Sequence, residues 1–242
     1  MLHQLITEQI EEGEELPAAA KSGEALFELF EESRRFRQLY AEAINRFLVS
    51  FEGKRLDGIR KDFIGGLFQA IAYTFLAGQQ TDSALVLSPE RTFELYTWLF
   101  PNSTIVHHPF GTKSIYGVSV PDGLLVKATE GVERVIALCE YTQGKYGNKL
   151  ENKYRGMRKD VERFRSIFPY TRILFLTPQE VEFPAGIRSA PLAKVLEVPF
   201  KPSQFRRYVD RLLNLYRPYD DSATLRDIVA WGQERAIRRL YI

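Results

Sequence analysis

The stretch SVPDGLLVKATEGVERVIALCEYT, residues 119–142, holds two apolar, strand-like runs, and each carries one carboxylate. The runs meet at a turn around Thr129 to Glu133 with Gly131 at its middle, and Asp122 and Glu140 each stand nine residues from that glycine. A regular antiparallel hairpin centred there sets the two directly opposite, with Cβ atoms roughly 5 Å apart on one face. Two like charges at that distance, among residues that want burial, require either a shared proton or a cation between them. Oxygen ligands at this spacing suit a hard divalent ion, Mg²⁺ first and Mn²⁺ next. A bulge in the ladder would instead shift the register by one and send the two carboxylates to opposite faces.

Working outward, the chain alternates helical and strand patterns. Leu26, Leu29, Phe30, Phe36, Tyr40, Ile44, Phe47 and Leu48 recur at helical spacing over 24–51. GKRLDG (53–58) breaks that pattern, and a second helix follows with Ile64, Leu67, Phe68, Ile71, Phe75 and Leu76 as its apolar stripe. Strands are expected at 83–88, 103–108, 114–120, 122–128, 133–142, 172–177 and 195–200. Helices are expected at 90–99, 148–168 and 203–215, with a last one opening near Ser222. Meandering strands bracketed by helices, with one helix crossing to a further strand, read as an α/β sandwich around a mixed sheet. The expected organisation is an N-terminal helical extension (1–58), a core (59–217) and a C-terminal helix (218–242).

With 242 residues, 45% of them hydrophobic, the chain has material for a sizeable core. The single Cys139 excludes a disulfide framework, and the Glu-rich start has neither a signal-peptide pattern nor a membrane span, so a cytoplasmic protein without membrane contact is expected. Net charge is +2, but residues 1–32 hold nine Glu against Lys21 alone, a local −8 that leaves +10 for the remainder. A basic remainder suits a polyanion, or simply a solvated surface.

Pro121-Asp122, followed by Glu140-Tyr141-Thr142 at the end of the next apolar strand, resembles the signature of the PD-(D/E)XK nuclease superfamily, the restriction-endonuclease-like fold. The resemblance covers roughly residues 60–215 and rests more on the order of elements than on either short motif. It implies a Mg²⁺-dependent nuclease hydrolysing phosphodiester bonds in DNA, with Asp122, Glu140 and the backbone carbonyl of Tyr141 holding the metal. The chain departs from the pattern twice. Thr142 stands where the family usually has a Lys, and Gln69, four residues after Gly65, stands where it commonly has a Glu. Under this resemblance Gln69 and Thr142 would orient water, and a migrated lysine, Lys145, Lys149 or Lys153, would stabilise charge in the transition state.

Several residues have competing readings. Lys149, Lys153, Arg155, Arg158 and Lys159 make the following helix basic and suit phosphate contact, while Tyr154 and Phe164 fall on its apolar stripe. Arg206, Arg207 and Arg211 form a second basic patch. His107 and His108 point to opposite faces of a strand and lack a Cys/His cluster. Asp62, seven residues before Gln69, could supply the missing acid or stabilise its helix start. The losses at 69 and 142 also fit a nuclease-fold binding module without catalysis. A third reading is a protein-interaction or scaffold module in which the acidic N-terminus and the helix from Glu24 to Phe51 form a subunit interface, as in a homodimer.

Overall fold

The computed structural model describes residues 20–33, 56–80, 84–107, 113–129, 132–143, 147–166 and 168–214. The expected helix beyond residue 33, the acidic start and the C-terminal helix near Ser222 lie outside the described residues. The elements are α1 (Gly23–Glu32), α2 (Leu56–Ala77), β1 (Ala84–Leu87), α3 (Pro89–Leu99), β2 (Ile105–His107), β3 (Lys113–Ile115), β4 (Gly123–Thr129), β5 (Val132–Tyr141), α4 (Gly147–Phe164), β6 (Arg172–Pro178), α5 (Ala185–Arg188), β7 (Ala193–Val198) and α6 (Pro202–Asn214).

Local chemistry sets the helix starts. Ser22 caps α1 by accepting from the Ala25 N–H, and Ser88 does the same for Arg91 at the head of α3, where Pro89 supplies a preset φ and Glu90 faces the positive helix end. Five strands form one sheet in the order β1-β4-β5-β6-β7, and β2 with β3 makes a separate two-stranded ribbon. Because β4 pairs antiparallel with both neighbours and β5, β6 and β7 pair in parallel, β4 alone runs against the other four. Alternation then divides the apolar side chains between two cores. One face of the sheet carries Val86, Ala137, Cys139, Leu176 and Val198 against α1, α2 and α6. The other carries Leu87, Leu124, Val126, Leu138 and Phe175 against α3 and α4. The expected mixed α/β sandwich is therefore present, and α1 is built into its core, with Leu26 and Phe30 buried and Phe27 stacked on Tyr208 at 4.3 Å.

Four local expectations are corrected. The strand expected at 114–120 stops at Ile115, because the chain turns at Tyr116 and Gly117, the latter at φ +72°, a backbone region glycine enters without a Cβ penalty. The 103–108 strand is only Ile105–His107. The last strand is displaced to Ala193–Val198, and Phe200 beyond it turns into the α1/α2/α6 core. Helix α2 opens at Leu56, so the end of GKRLDG is helical rather than a break. Among the described residues no helix is long and apolar enough to cross a membrane.

Candidate active site

The register of β4 against β5 decides whether two carboxylates meet. Only two residues separate the partners Thr129 and Val132, and the ladder runs regularly to Val126 opposite Val135. That register, continued, would set Asp122 opposite Cys139. Instead Leu125 pairs with Ala137, so Ile136 has no partner and β5 carries a bulge. The alternation of β5 flips there: Val135 and Leu138 pack toward α3 and α4, whereas Ala137, Cys139 and Tyr141 pack toward α1 and α2. The ladder ends with Gly123 opposite Cys139, and the next step outward brings Asp122 to Glu140. The bulge expected to separate the carboxylates thus brings them together, because it offsets the single step lost at the two-residue loop.

Both groups are fixed by their surroundings. The Tyr141 N–H donates to Asp122 Oδ2 at 2.8 Å, and Gln69 Nε2 on α2 donates to Asp122 Oδ1 at 2.9 Å. Asp122's own N–H donates to the Cys139 carbonyl at 2.9 Å, tying the residue to the end of β5. Lys153, one turn before the buried Met157 on the inward stripe of α4, lays its stem along the core and sets Nζ 2.6 Å from Glu140 Oε1 and 4.0 Å from Asp122 Oδ1. One ammonium spans both carboxylates. Glu140 is buried, and its Oε2 has no hydrogen-bond partner.

The electrostatics follow from that burial. Desolvation, then the Asp122 charge, push the Glu140 carboxyl well above the usual carboxylate range, with Lys153 pulling the other way. Burial pulls Lys153 down, but Asp122 and Glu140 together outweigh it and hold the amine above an ordinary lysine. Lys153 therefore stays cationic near neutral pH and is the counter-charge that opposes the upward push on Glu140. Burial pushes the Cys139 thiol far up, in keeping with its place in the opposite core.

The remaining candidates are placed unevenly. Thr142 is half-buried, and its N–H donates to the Leu176 carbonyl at 2.9 Å, joining the site to β6. Lys145 lies outside the described residues, as do the side chains of Lys149 and Asp62, and all of His108. Arg155, Arg158 and Lys159 are exposed on α4, with Arg158 Nε bonded to Glu162 at 2.9 Å, while Lys153 is turned inward to the carboxylates. His107 is exposed on the β2 ribbon, away from this ladder. Two members of the Arg206/Arg207/Arg211 patch face acids: Arg211 pairs with Glu31, and Arg207 shares a groove of about 270 Å³ with Glu24 and Glu28 of α1, while Arg206 is exposed. The sequence does not single out Thr177. It is a fully buried hydroxyl without a hydrogen-bond partner at the carboxyl end of β6, on the Glu140 face, signalled only by a Thr ending an apolar run.

Comparison with protein families, curated proteins and solved structures finds no match for this chain. The site is therefore judged by its own donor set. Among the described residues no group of three or more His, Cys, Asp or Glu stands together. The cluster offers two facing carboxylates, and the unpartnered, buried Glu140 Oε2 is an oxygen whose desolvation a hard cation would offset. That atom makes the residues present compatible with Mg²⁺ or Mn²⁺.

Proposed function

We propose that this chain is a Mg²⁺-dependent phosphodiesterase acting on DNA, built on a restriction-endonuclease-like fold similar to the PD-(D/E)XK nucleases. The convergence of Gln69, Asp122, Glu140 and Lys153 at the end of the β4–β5 ladder carries this reading. Asp122 and Glu140, with the Tyr141 carbonyl, would hold the metal, which when bound supplies Lewis acidity and a water acidic enough to ionise near neutral pH. Gln69 holds the Asp122 carboxylate in place through its amide, and Thr142, two residues beyond Glu140, would orient water. Lys153 substitutes for the lysine absent at 142, and its ammonium meets charge developing on the phosphoryl oxygens. A reducing cytoplasm suits a chain whose one cysteine is a buried free thiol.

A second reading, a binding protein on the same fold, is favoured by one observation. Gln69 and Lys153 occupy Asp122 Oδ1 and Glu140 Oε1, two of the oxygens that a metal would have to share. A cleavage assay separates the two. Supercoiled and linear DNA incubated with Mg²⁺ should be cut by the wild type and not by Asp122→Ala, and Lys153→Met should slow cutting by about 10²–10⁴-fold. DNA that is bound but left intact by the wild type would favour the binding protein.

A further inference from the structure

Four cations cross one face of the sheet diagonally, from the loop end of β4 and β5 to the level of Cys139. Lys127 on β4, Arg134 on β5, Arg172 on β6 and Lys194 on β7 are all exposed. The ladder places them together. Lys127 is the partner of Arg134, Arg172 of Ala137 and Lys194 of Leu174. Ala137 and Leu174 belong to the α1/α2/α6 side of the sheet, so the four cations project from that side beyond its apolar cover. Lys127 and Arg134 stand with Cβ atoms roughly 5 Å apart. Arg172 lies one strand over and three residues along from Arg134, and Lys194 one strand over and two residues along from Arg172, a diagonal step of roughly 7–8 Å. Arg134 precedes Glu140 by six residues, which sets that end of the row about 20 Å from the candidate active site, while Lys194, level with Cys139 through Leu174, lies on the opposite face of the sheet from Glu140.

Like charges directly opposite on neighbouring strands destabilise a sheet. Among the described residues none of the four has a carboxylate partner that would offset the repulsion. Tyr170, two residues before Arg172 and 76% exposed, adds an aromatic ring at the edge of the row. A line of cations with a flanking aromatic matches a strand of phosphates with unpaired bases, where the charges follow the backbone and the ring stacks on a base. We propose that Lys127, Arg134, Arg172 and Lys194 form a sequence-independent binding surface for single-stranded nucleic acid, separate from the Asp122 site. The row lacks a broad apolar patch of the kind that lies in a lipid interface, which argues for a nucleic acid over a membrane.

The test is fluorescence titration of the full chain with an oligothymidylate at several salt concentrations. Four phosphate contacts predict a log–log salt slope near roughly −3 for the wild type. Replacing all four cations by Ala should abolish most of that slope and weaken binding at low salt by at least about 10-fold, while Arg188→Ala, which removes an exposed cation outside the row that pairs with Glu197, should bind as the wild type does. Arg134→Gln guards against misfolding as an explanation, since it should lower affinity while raising the melting temperature by relieving its repulsion with Lys127. An unchanged slope in the fourfold variant, no binding by the wild type, or wild-type binding to anionic vesicles but not to the oligonucleotide would each overturn the proposal.

Discussion

Lys153 Nζ lies 2.6 Å from Glu140 Oε1, which makes a cation on α4 the neutralising partner of a buried carboxylate on β5. Removing either member leaves the other desolvated and unmatched, which costs more than the pair contributes. Lys153→Met and Glu140→Gln should each destabilise the chain, and the double variant should lose less than the sum of the two. A double-mutant cycle in urea should return a coupling of roughly 0.5–3 kcal/mol. Additive losses would mean that the two groups do not meet in solution.

Gly123 is needed where β4 passes Tyr141. A Cβ there would lie 2.6 Å from the Tyr141 hydroxyl and 3.3 Å from the Leu87 carbonyl. Gly123→Ala should therefore cost about 1–3 kcal/mol. The Tyr141 hydroxyl is buried without a hydrogen-bond partner, so Tyr141→Phe should be neutral or stabilising and should recover part of the Gly123→Ala loss. Chemical denaturation of the three variants checks this.

Asp160 gives the fold a pH dependence away from the candidate site. Burial raises its carboxyl from 3.8 to about 6, opposed by Arg163, whose Nη1 is 3.6 Å from Oδ1, while Oδ2 has no hydrogen-bond partner. The folded state thus holds a proton that the unfolded chain has already released. This contribution is complete below pH 3.8 and is lost as pH rises to about 6. Asp160→Asn should remove that slope and stabilise the protein at pH 7 by on the order of 2 kcal/mol relative to wild type, read from melting curves across the window.

Gln69 tests the donor set by addition. Its amide donates to Asp122 Oδ1, so Gln69→Glu exchanges a hydrogen bond for a third carboxylate beside Asp122. Without metal the variant should melt lower than the wild type. With Mg²⁺ it should recover, and its metal affinity should rise on the order of tenfold. A variant that melts lower whether or not Mg²⁺ is present would mean that these oxygens do not hold a cation.

Much of this architecture is legible in the sequence because strands 84–87, 123–129, 132–141 and 172–178 are apolar runs bounded by turn residues, and α4 has a clear stripe. The pairing of Asp122 with Glu140 is also legible, but through two compensating departures. Nothing in the run VIALC marks Ile136 as the residue left out of the ladder, since it is as apolar and β-forming as its neighbours. The choice of Lys153 among nearby lysines depends on how α4 rotates over the sheet, which spacing along the chain does not specify. Gly117 stops β3 because of its backbone angle rather than any change in hydrophobicity. The four-residue α5 is too short to have a period. The cation row on β4 to β7 draws its members from four separate strands, so only the register assembles it.

Whether Asp122 and Glu140 hold one divalent cation between them is read directly by calorimetric titration of the full chain with Mg²⁺ and Mn²⁺. Saturable binding is expected of the wild type and should be lost in Asp122→Ala and in Glu140→Gln while both variants remain folded. Equal heats in wild type and variants, or no binding by any of them, would contradict a shared site and leave Lys153 as the only cation these carboxylates meet.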